Sequence, residues 1–166
     1  MELKIIDNFY KKENFEYMLT SAMLNAYHSY HHPQSSFIID RKEAYPCYQT
    51  NFFIENDLNY QIFLNTFQEK TGLVIDKVQT LYRKIYSNEL EHIFKYGQKP
   101  HRDIKEFDIA GVIYFNNFGL DNGTGIFSNI ELNEFQIEPD VIVGAKPNRC
   151  VYYSTDIWHK PLQDKD

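Results

Sequence analysis

The sequence predicts a mainly β protein, a sandwich or barrel of short strands with two helices packed outside it. From residue 73 onward, apolar residues tend to alternate with polar ones and turn signals recur at short intervals. Before that point, two segments carry apolar residues at helical spacing. The chain also contains 13 tyrosines and 13 phenylalanines, an aromatic content typical of strands or of a lined pocket.

The N-terminal region is predicted to begin with a short strand in "LKIIDNF" and to continue as a helix that ends before Pro33. The apolar face of this helix is Phe15, Met18, Leu19, Ala22, Met23, Ala26 and Tyr27. Short strands are predicted in "SFIID" and "QTNFFIE". A second helix is predicted over 57–71, with Asp57 as its N-cap and Gly72 at its end. Its apolar stripe is Tyr60, Phe63, Leu64 and Phe67.

The C-terminal region is predicted to be strands and turns. Strands are expected in "VIDKVQTLYRKIYS", "DIAGVIYFN" and "NRCVYYS". A turn that enters a strand is expected in "DNGTGIFS", one or two strands in "IELNEFQIEPDVIVG", and a turn in "TDIWHKP". At 166 residues, the chain is long enough for one domain with a hydrophobic core. We therefore expect a single domain over 1–166, with 1–72 as support and 73–166 as the β core.

Charge and cysteine content limit the classes of function. The net charge is −6 and no cluster of lysine and arginine occurs, which disfavours nucleic acid as the main partner. Cys47 and Cys150 form neither a disulfide framework nor a CxxC pair, which favours a reducing compartment and a cytoplasmic protein. The N-terminus lacks the apolar core of a signal peptide, and no apolar run has transmembrane length.

His101 and Asp103 form the most informative local motif, "HRD", directly before a predicted buried strand. Two side chains at i and i+2 of an extended segment point to the same side, so an imidazole and a carboxylate share one target. His159 follows the strand "NRCVYYS" and supplies a third donor. Two histidines and one carboxylate are the facial arrangement that binds non-haem Fe(II) and leaves coordination positions open. His28, His31 and His32 have no nearby carboxylate or thiolate that completes a site. His92 lies in the charged loop "NELEHIFKYG" and is expected to be an ordinary surface histidine.

Residues 99–159 resemble the core of the 2-oxoglutarate- and Fe(II)-dependent dioxygenases, in particular their prolyl-hydroxylase-like branch. The segments "YRKIYS", "HRD", "GVIYFN", "DNGTGIFS" and "NRCVYYSTDIWH" occur in the order that this family shows. The resemblance implies a double-stranded β-helix, a cupin-like jelly-roll barrel, with the N-terminal helices outside it. It implies that His101, Asp103 and His159 are the iron ligands, and that 2-oxoglutarate is the co-substrate of a hydroxylase.

The resemblance also implies contacts to 2-oxoglutarate. Tyr114 falls where the family has a tyrosine that reaches the distal carboxylate, and Tyr86 lies at a position that faces the pocket. The family places an arginine or lysine about ten residues after the distal histidine, whereas this sequence ends at Asp166, so the final strand is expected to be missing. Arg149 is the substitute cation within the predicted barrel, ahead of Arg83 and Lys84.

Two other functions stay open. One is a jelly-roll binding or structural module without catalysis, and the other is a cupin-like metal enzyme that does not use 2-oxoglutarate, such as an isomerase. The predicted mouth loops, 31–50, 87–100 and 117–123, are polar and aromatic. They suit a peptide side chain, a small metabolite or a nucleoside, and they do not identify the substrate.

Overall fold

The structure is a computed structural model that describes residues 3–30, 47–84, 100–103, 105–116, 122–128 and 138–162, without the side chains of 29, 30 and 47. Within these ranges it contains nine strands in three small antiparallel sheets, and two helices. The predicted mainly β fold with two helices is confirmed at this level. The chain divides into two compact units, the strand unit (1–8 and 91–166) and the helix unit (9–90).

The strand unit contains two three-stranded antiparallel sheets. The first has the order β1-β8-β5, and the second has the order β7-β6-β9. The strands are β1 Lys4–Ile6, β5 Ile109–Tyr114, β6 Gly123–Phe127, β7 Val141–Gly144, β8 Arg149–Ser154 and β9 Trp158–Leu162. The predicted strands in "LKIIDNF", "DIAGVIYFN", "DNGTGIFS" and "NRCVYYS" are therefore confirmed.

The hydrophobic core of the strand unit joins its two sheets. Val151 and Tyr153 of β8 and Ile126 and Val143 of the second sheet form one buried cluster. These residues alternate along their strands with residues of the other face, and on β6 and β8 that other face is also buried, as at Cys150 and Phe127. The half-buried side chains of Val112 and Tyr114 pack against the cluster from β5. The inner faces of the two sheets therefore pack against each other.

His159 lies on a strand, which corrects the predicted turn in "TDIWHKP". The turn is shorter and earlier, because the Ile157 amide donates to the Ser154 carbonyl oxygen at 2.9 Å and closes it at the end of β8. Then β9 begins at Trp158 and pairs antiparallel with β6, with His159 opposite Ile126. Pro161 and Leu162 also belong to β9 and were not predicted to form a strand.

The helix unit contains the two helices, α1 Lys12–Leu24 and α2 Leu58–Thr71, and one sheet of the order β2-β3-β4. Its strands are β2 His28–Tyr30, β3 Cys47–Gln49 and β4 Arg83–Lys84. The first helix ends earlier than its apolar spacing predicts. The Tyr27 hydroxyl donates to the Ala22 carbonyl oxygen at 2.6 Å, so Tyr27 packs back on the helix end from outside the helix.

The second helix is confirmed almost to the residue. Asp57 is its N-cap, and its carboxylate accepts a hydrogen bond from the Ile54 amide at 2.9 Å rather than from the first turn of the helix. Gly72 ends the helix with φ of 70°, in the left-handed region where a glycine avoids the Cβ clash. Phe63 and Phe67 of its apolar stripe contact Phe9.

Other predicted elements differ or fall outside the described residues. Only Gln49 of the predicted strand "QTNFFIE" is in a strand, and β4 is the only strand within the described part of "VIDKVQTLYRKIYS". The predicted strand "SFIID" lies outside the described residues. The strand unit combines residues 1–8 with the C-terminal segment, because β1 pairs with β8. Neither α1 nor α2 is long and apolar enough to cross a membrane.

Asp7 connects the end of β1 to the start of β8. Its carboxylate accepts hydrogen bonds from Arg149 Nε at 2.6 Å and Nη2 at 3.0 Å, and from Lys146 Nζ at 3.2 Å. Mainly because of the Arg149 hydrogen bonds, the pKa of Asp7 is lowered from 3.8 to about 2.

Asp7→Asn is expected to lower the free energy of unfolding at pH 7 by about 1 kcal/mol or less, because the pair is partly exposed. A depressed pKa means that the unfolded chain binds the proton first, so the stabilisation is lost as the pH falls from about 4 towards 2. Urea denaturation of both proteins between pH 2 and pH 8 measures this difference. A difference that stays constant over the whole range would contradict the role of the ionised carboxylate.

Candidate metal centre

Backbone pairing brings the predicted ligands together. The amides of His101 and His159 each donate to the carbonyl oxygen of the other, both at 2.9 Å, and form an antiparallel bridge. The two imidazole rings lie 4.4 Å apart between centroids. Asp103 follows two residues after His101, and its Oδ2 lies 3.4 Å from His159 Nε2. One potential ligand atom from each of the three residues lies within 4.8 Å of the others.

Burial and hydrogen bonding orient the His159 ring. The residue is 6 % exposed, and its ring contacts the Tyr153 ring with 4.7 Å between centroids. His159 Nδ1 lies 3.1 Å from the Ile157 carbonyl oxygen, which can only accept a hydrogen bond. With a metal bound to Nε2, the ring proton would lie on Nδ1 and donate to this carbonyl oxygen. Metal-binding histidines commonly have this arrangement, in which the second nitrogen donates to a carbonyl.

Thr155 forms hydrogen bonds with the chain that follows Asp103. The Thr155 hydroxyl donates to the Phe107 carbonyl oxygen at 2.7 Å, and the Thr155 amide donates to the Asp108 carbonyl oxygen at 3.3 Å. Thr155 lies in the turn between β8 and β9. The turn that precedes His159 is thus bonded to the chain that follows Asp103.

The three donors fit a divalent transition metal. Two imidazole nitrogens and one carboxylate oxygen are the donor types of facial Fe(II) sites. With metal–ligand bonds of about 2.1 Å, neighbouring donors of an octahedron lie about 3 Å apart. The 3.4 Å between His159 Nε2 and Asp103 Oδ2 is already close to this spacing. His101 is exposed, so the site is not enclosed on the side of this ligand.

Tyr114 lies on the inner face of β5, and its hydroxyl is 2.5 Å from the hydroxyl of Thr124 on β6. Burial raises the pKa of the Tyr114 phenol, so the phenol is protonated at neutral pH and able to donate. Thr124 and Ile126 are two residues apart on the same face of β6, about 7 Å along the strand. Ile126 is opposite His159 in the pairing of β6 with β9. The Tyr114–Thr124 pair therefore lies on the same inner face as the candidate metal centre, two residues away along β6.

Arg149 is opposite Tyr114 in the pairing of β5 with β8. Its guanidinium donates hydrogen bonds to both carboxylate oxygens of Asp7. Its Nη1 also donates to the Gly144 carbonyl oxygen at 2.9 Å. Asp7 is a partner that the local sequence pattern did not indicate. Binding of 2-oxoglutarate by Arg149 stays a prediction. It would require the guanidinium to bind Asp7 and the co-substrate carboxylate together, or to release Asp7.

The remaining candidate residues belong to the helix unit or fall outside the described residues. Arg83 and Lys84 belong to the helix unit, where Lys84 Nζ lies 4.0 Å from the centroid of the Tyr27 ring. His28 is exposed on β2 rather than at a helix end. Tyr86, His31, His32 and His92 fall outside the described residues. Over the described ranges, His101, Asp103 and His159 are the one group of three such residues whose geometry could hold a metal.

Comparison with known proteins leaves this geometry as the basis for any assignment of function. No family model, no curated protein and no solved structure matches the chain.

Proposed function

We propose that the protein is an Fe(II)- and 2-oxoglutarate-dependent dioxygenase that hydroxylates a small-molecule or peptide substrate. The observation that supports this proposal is the convergence of His101, Asp103 and His159, with potential ligand atoms within 4.8 Å of one another. Their donor types favour Fe(II) with open positions over a closed structural site. The inferred fold is a double-stranded β-helix, since the two sheets of the strand unit pack through one core.

The ligands would hold the metal at one end of the space between the sheets. Asp103 would supply the negative charge, and His101 and His159 would supply neutral nitrogen donors. When bound, the iron supplies oxygen activation that is coupled to oxidative decarboxylation of 2-oxoglutarate to succinate and CO2, with the second oxygen atom transferred to a substrate C–H bond. The Ile157 carbonyl and the Tyr153 ring keep His159 oriented before the metal arrives.

The inner face also offers donors for the far end of the co-substrate. The Tyr114 and Thr124 hydroxyls lie about two strand residues along β6 from the position opposite His159. A five-carbon diacid that chelates a metal through its keto acid end extends its other carboxylate over a comparable distance. Tyr114 would donate to that carboxylate as a neutral phenol, and Thr124 would orient it.

The proposal is tested by anaerobic addition of Fe(II) and 2-oxoglutarate to the purified protein. We expect the weak visible charge-transfer band of the chelated complex, and succinate release once oxygen and a substrate are admitted. Tyr114→Phe is expected to weaken 2-oxoglutarate binding about three- to tenfold, the effect of one lost hydrogen bond, and to leave Fe(II) affinity unchanged.

Val112→Ala is the matched control, because it alters the same face of β5 without removing a hydroxyl. It is expected to lower stability and to keep the affinity for 2-oxoglutarate. Fe(II) binding without any band in the presence of 2-oxoglutarate would contradict the proposal. That result would favour a metal-binding module or a metal enzyme of another class.

A further inference from the structure

A cation–π contact lies beside the metal centre on the side away from the ligands. The Arg102 guanidinium carbon is 4.7 Å from the centroid of the Trp158 ring. Arg102 stands between His101 and Asp103, and Trp158 directly precedes His159. The contact therefore joins the two chain segments that supply all three ligands.

The register of the strands explains why these two side chains meet. His101 and His159 are opposite each other in an antiparallel bridge. Because the pairing is antiparallel, the residue after His101 is opposite the residue before His159. Arg102 is therefore opposite Trp158. Neighbouring residues of extended chain point to opposite sides, so this pair occupies one side while the ligands occupy the other. A contact on the outer side thus sets the spacing on the ligand side.

We propose that Arg102 and Trp158 form a positioning pair that holds His101 and Asp103 in register with His159 for metal binding. The inference rests on the metal centre of the proposed function, and it does not depend on 2-oxoglutarate. His159 is placed by β9, whereas Arg102 and Asp103 lie outside the regular strands. A site whose ligands come from two segments binds more tightly when those segments are ordered before the metal arrives.

Electrostatics alone predicts the opposite effect of removing Arg102. A positive charge near a site for a dication disfavours binding, so its removal would tighten metal affinity. Loss of the positioning contact would weaken metal affinity instead. The sign of the change therefore separates the two roles, and the size of an exposed cation–π contact corresponds to about a two- to fivefold change in affinity.

The experiment is a spectrophotometric Co(II) titration of the full chain and five variants. Arg102→Ala and Trp158→Leu are each expected to weaken Co(II) binding about two- to fivefold, and the double variant no more than either one. Arg102→Lys, which keeps a cation over the ring, is expected to retain most of the affinity. Lys160→Ala is the control, because Lys160 is also a cation on β9, with Nζ 5.5 Å from the centroid of the Phe127 ring. Its replacement removes a cation and a cation–π contact but keeps the contact between Arg102 and Trp158.

The titrations are performed at a temperature at which circular dichroism shows every variant to be folded, so that lost affinity does not reflect unfolding. Unchanged or tighter Co(II) binding by Arg102→Ala would overturn the positioning role, as would an equal loss in Lys160→Ala. A wild-type protein that binds no Co(II) would overturn both the pair and the metal centre. Co(II) binding without 2-oxoglutarate binding would overturn the dioxygenase proposal alone, and the effect of the pair on the metal would still be measured.

Discussion

Replacing any one of His101, Asp103 and His159 by alanine is expected to weaken Fe(II) binding by at least about 100-fold. Changes in groups that only support metal ligands already cost about 10- to 100-fold, and removal of a ligand costs more. Two remaining donors cannot occupy one face of an octahedron. An anaerobic Fe(II) titration against a chromophoric chelator measures the affinity of each variant.

Conservative variants separate loss of a ligand from loss of structure. Asp103→Asn keeps the shape of the side chain and removes its charge. His159→Asn can keep an amide donor near the Ile157 carbonyl while removing the nitrogen that faces Asp103. Both are expected to bind Fe(II) as weakly as the alanine variants and to unfold closer to the wild-type temperature.

His28→Ala is the matched control for these variants. His28 is an exposed histidine in the helix unit, and it does not belong to the group that could hold a metal. Its replacement is expected to leave Fe(II) affinity within about twofold of wild type. Wild-type affinity in any ligand variant would remove that residue from the set, and loss of binding in His28→Ala would mean that the metal binds elsewhere.

The grouping of His101, Asp103 and His159 could be predicted from the sequence because part of its geometry is local. The i, i+2 spacing of His101 and Asp103 on extended chain places both side chains on one side. The structural element that carries His159 could not be predicted in the same way. A proline two residues later lacks an N–H donor and favours a turn. Pairing of β9 with β6 and burial of His159 outweigh that local preference.

The long-range contacts of the strand unit could not be predicted from spacing along the chain. Asp7 and Arg149 are 142 residues apart, and their pairing depends on β1 joining the sheet of β8. Arg102 and Trp158 meet only because the bridge between His101 and His159 fixes their register. Periodicity identifies which face of an element is buried, but it does not identify which element lies opposite. The helix end near Tyr27 differs for a local reason, since the Tyr27 hydroxyl bonds back to the Ala22 carbonyl oxygen from outside α1.

Gly123→Ala is expected to be strongly destabilising, by about 3–5 kcal/mol. Gly123 has φ of 149°, a backbone conformation that residues with a Cβ rarely adopt. A Cβ at this position would overlap the backbone carbonyl oxygen of Val143 on the neighbouring strand. The backbone of a paired strand cannot move aside without breaking its own hydrogen bonds, so the variant must distort the pairing of β6 with β7.

The expected loss is a large part of the stability of an ordinary domain. The substitution is also expected to weaken Co(II) binding, because β6 pairs with β9, which carries His159. Urea denaturation and a Co(II) titration of the same protein are expected to show both effects. Addition of Co(II) is expected to recover part of the lost stability, since the metal binds only the folded chain.

Gly72→Ala is the control that separates backbone conformation from steric overlap. Gly72 has φ of 70°, but a Cβ there would have no atom within 4 Å. The substitution is expected to lower the free energy of unfolding by about 1–2 kcal/mol, because a residue with a Cβ is disfavoured in the left-handed conformation. It is expected to leave Co(II) affinity unchanged. Equal destabilisation by the two variants would show that the approach of Gly123 to Val143 is not what requires a glycine. Unchanged Co(II) affinity in a folded but destabilised Gly123→Ala would show that His159 does not depend on β6 for its position.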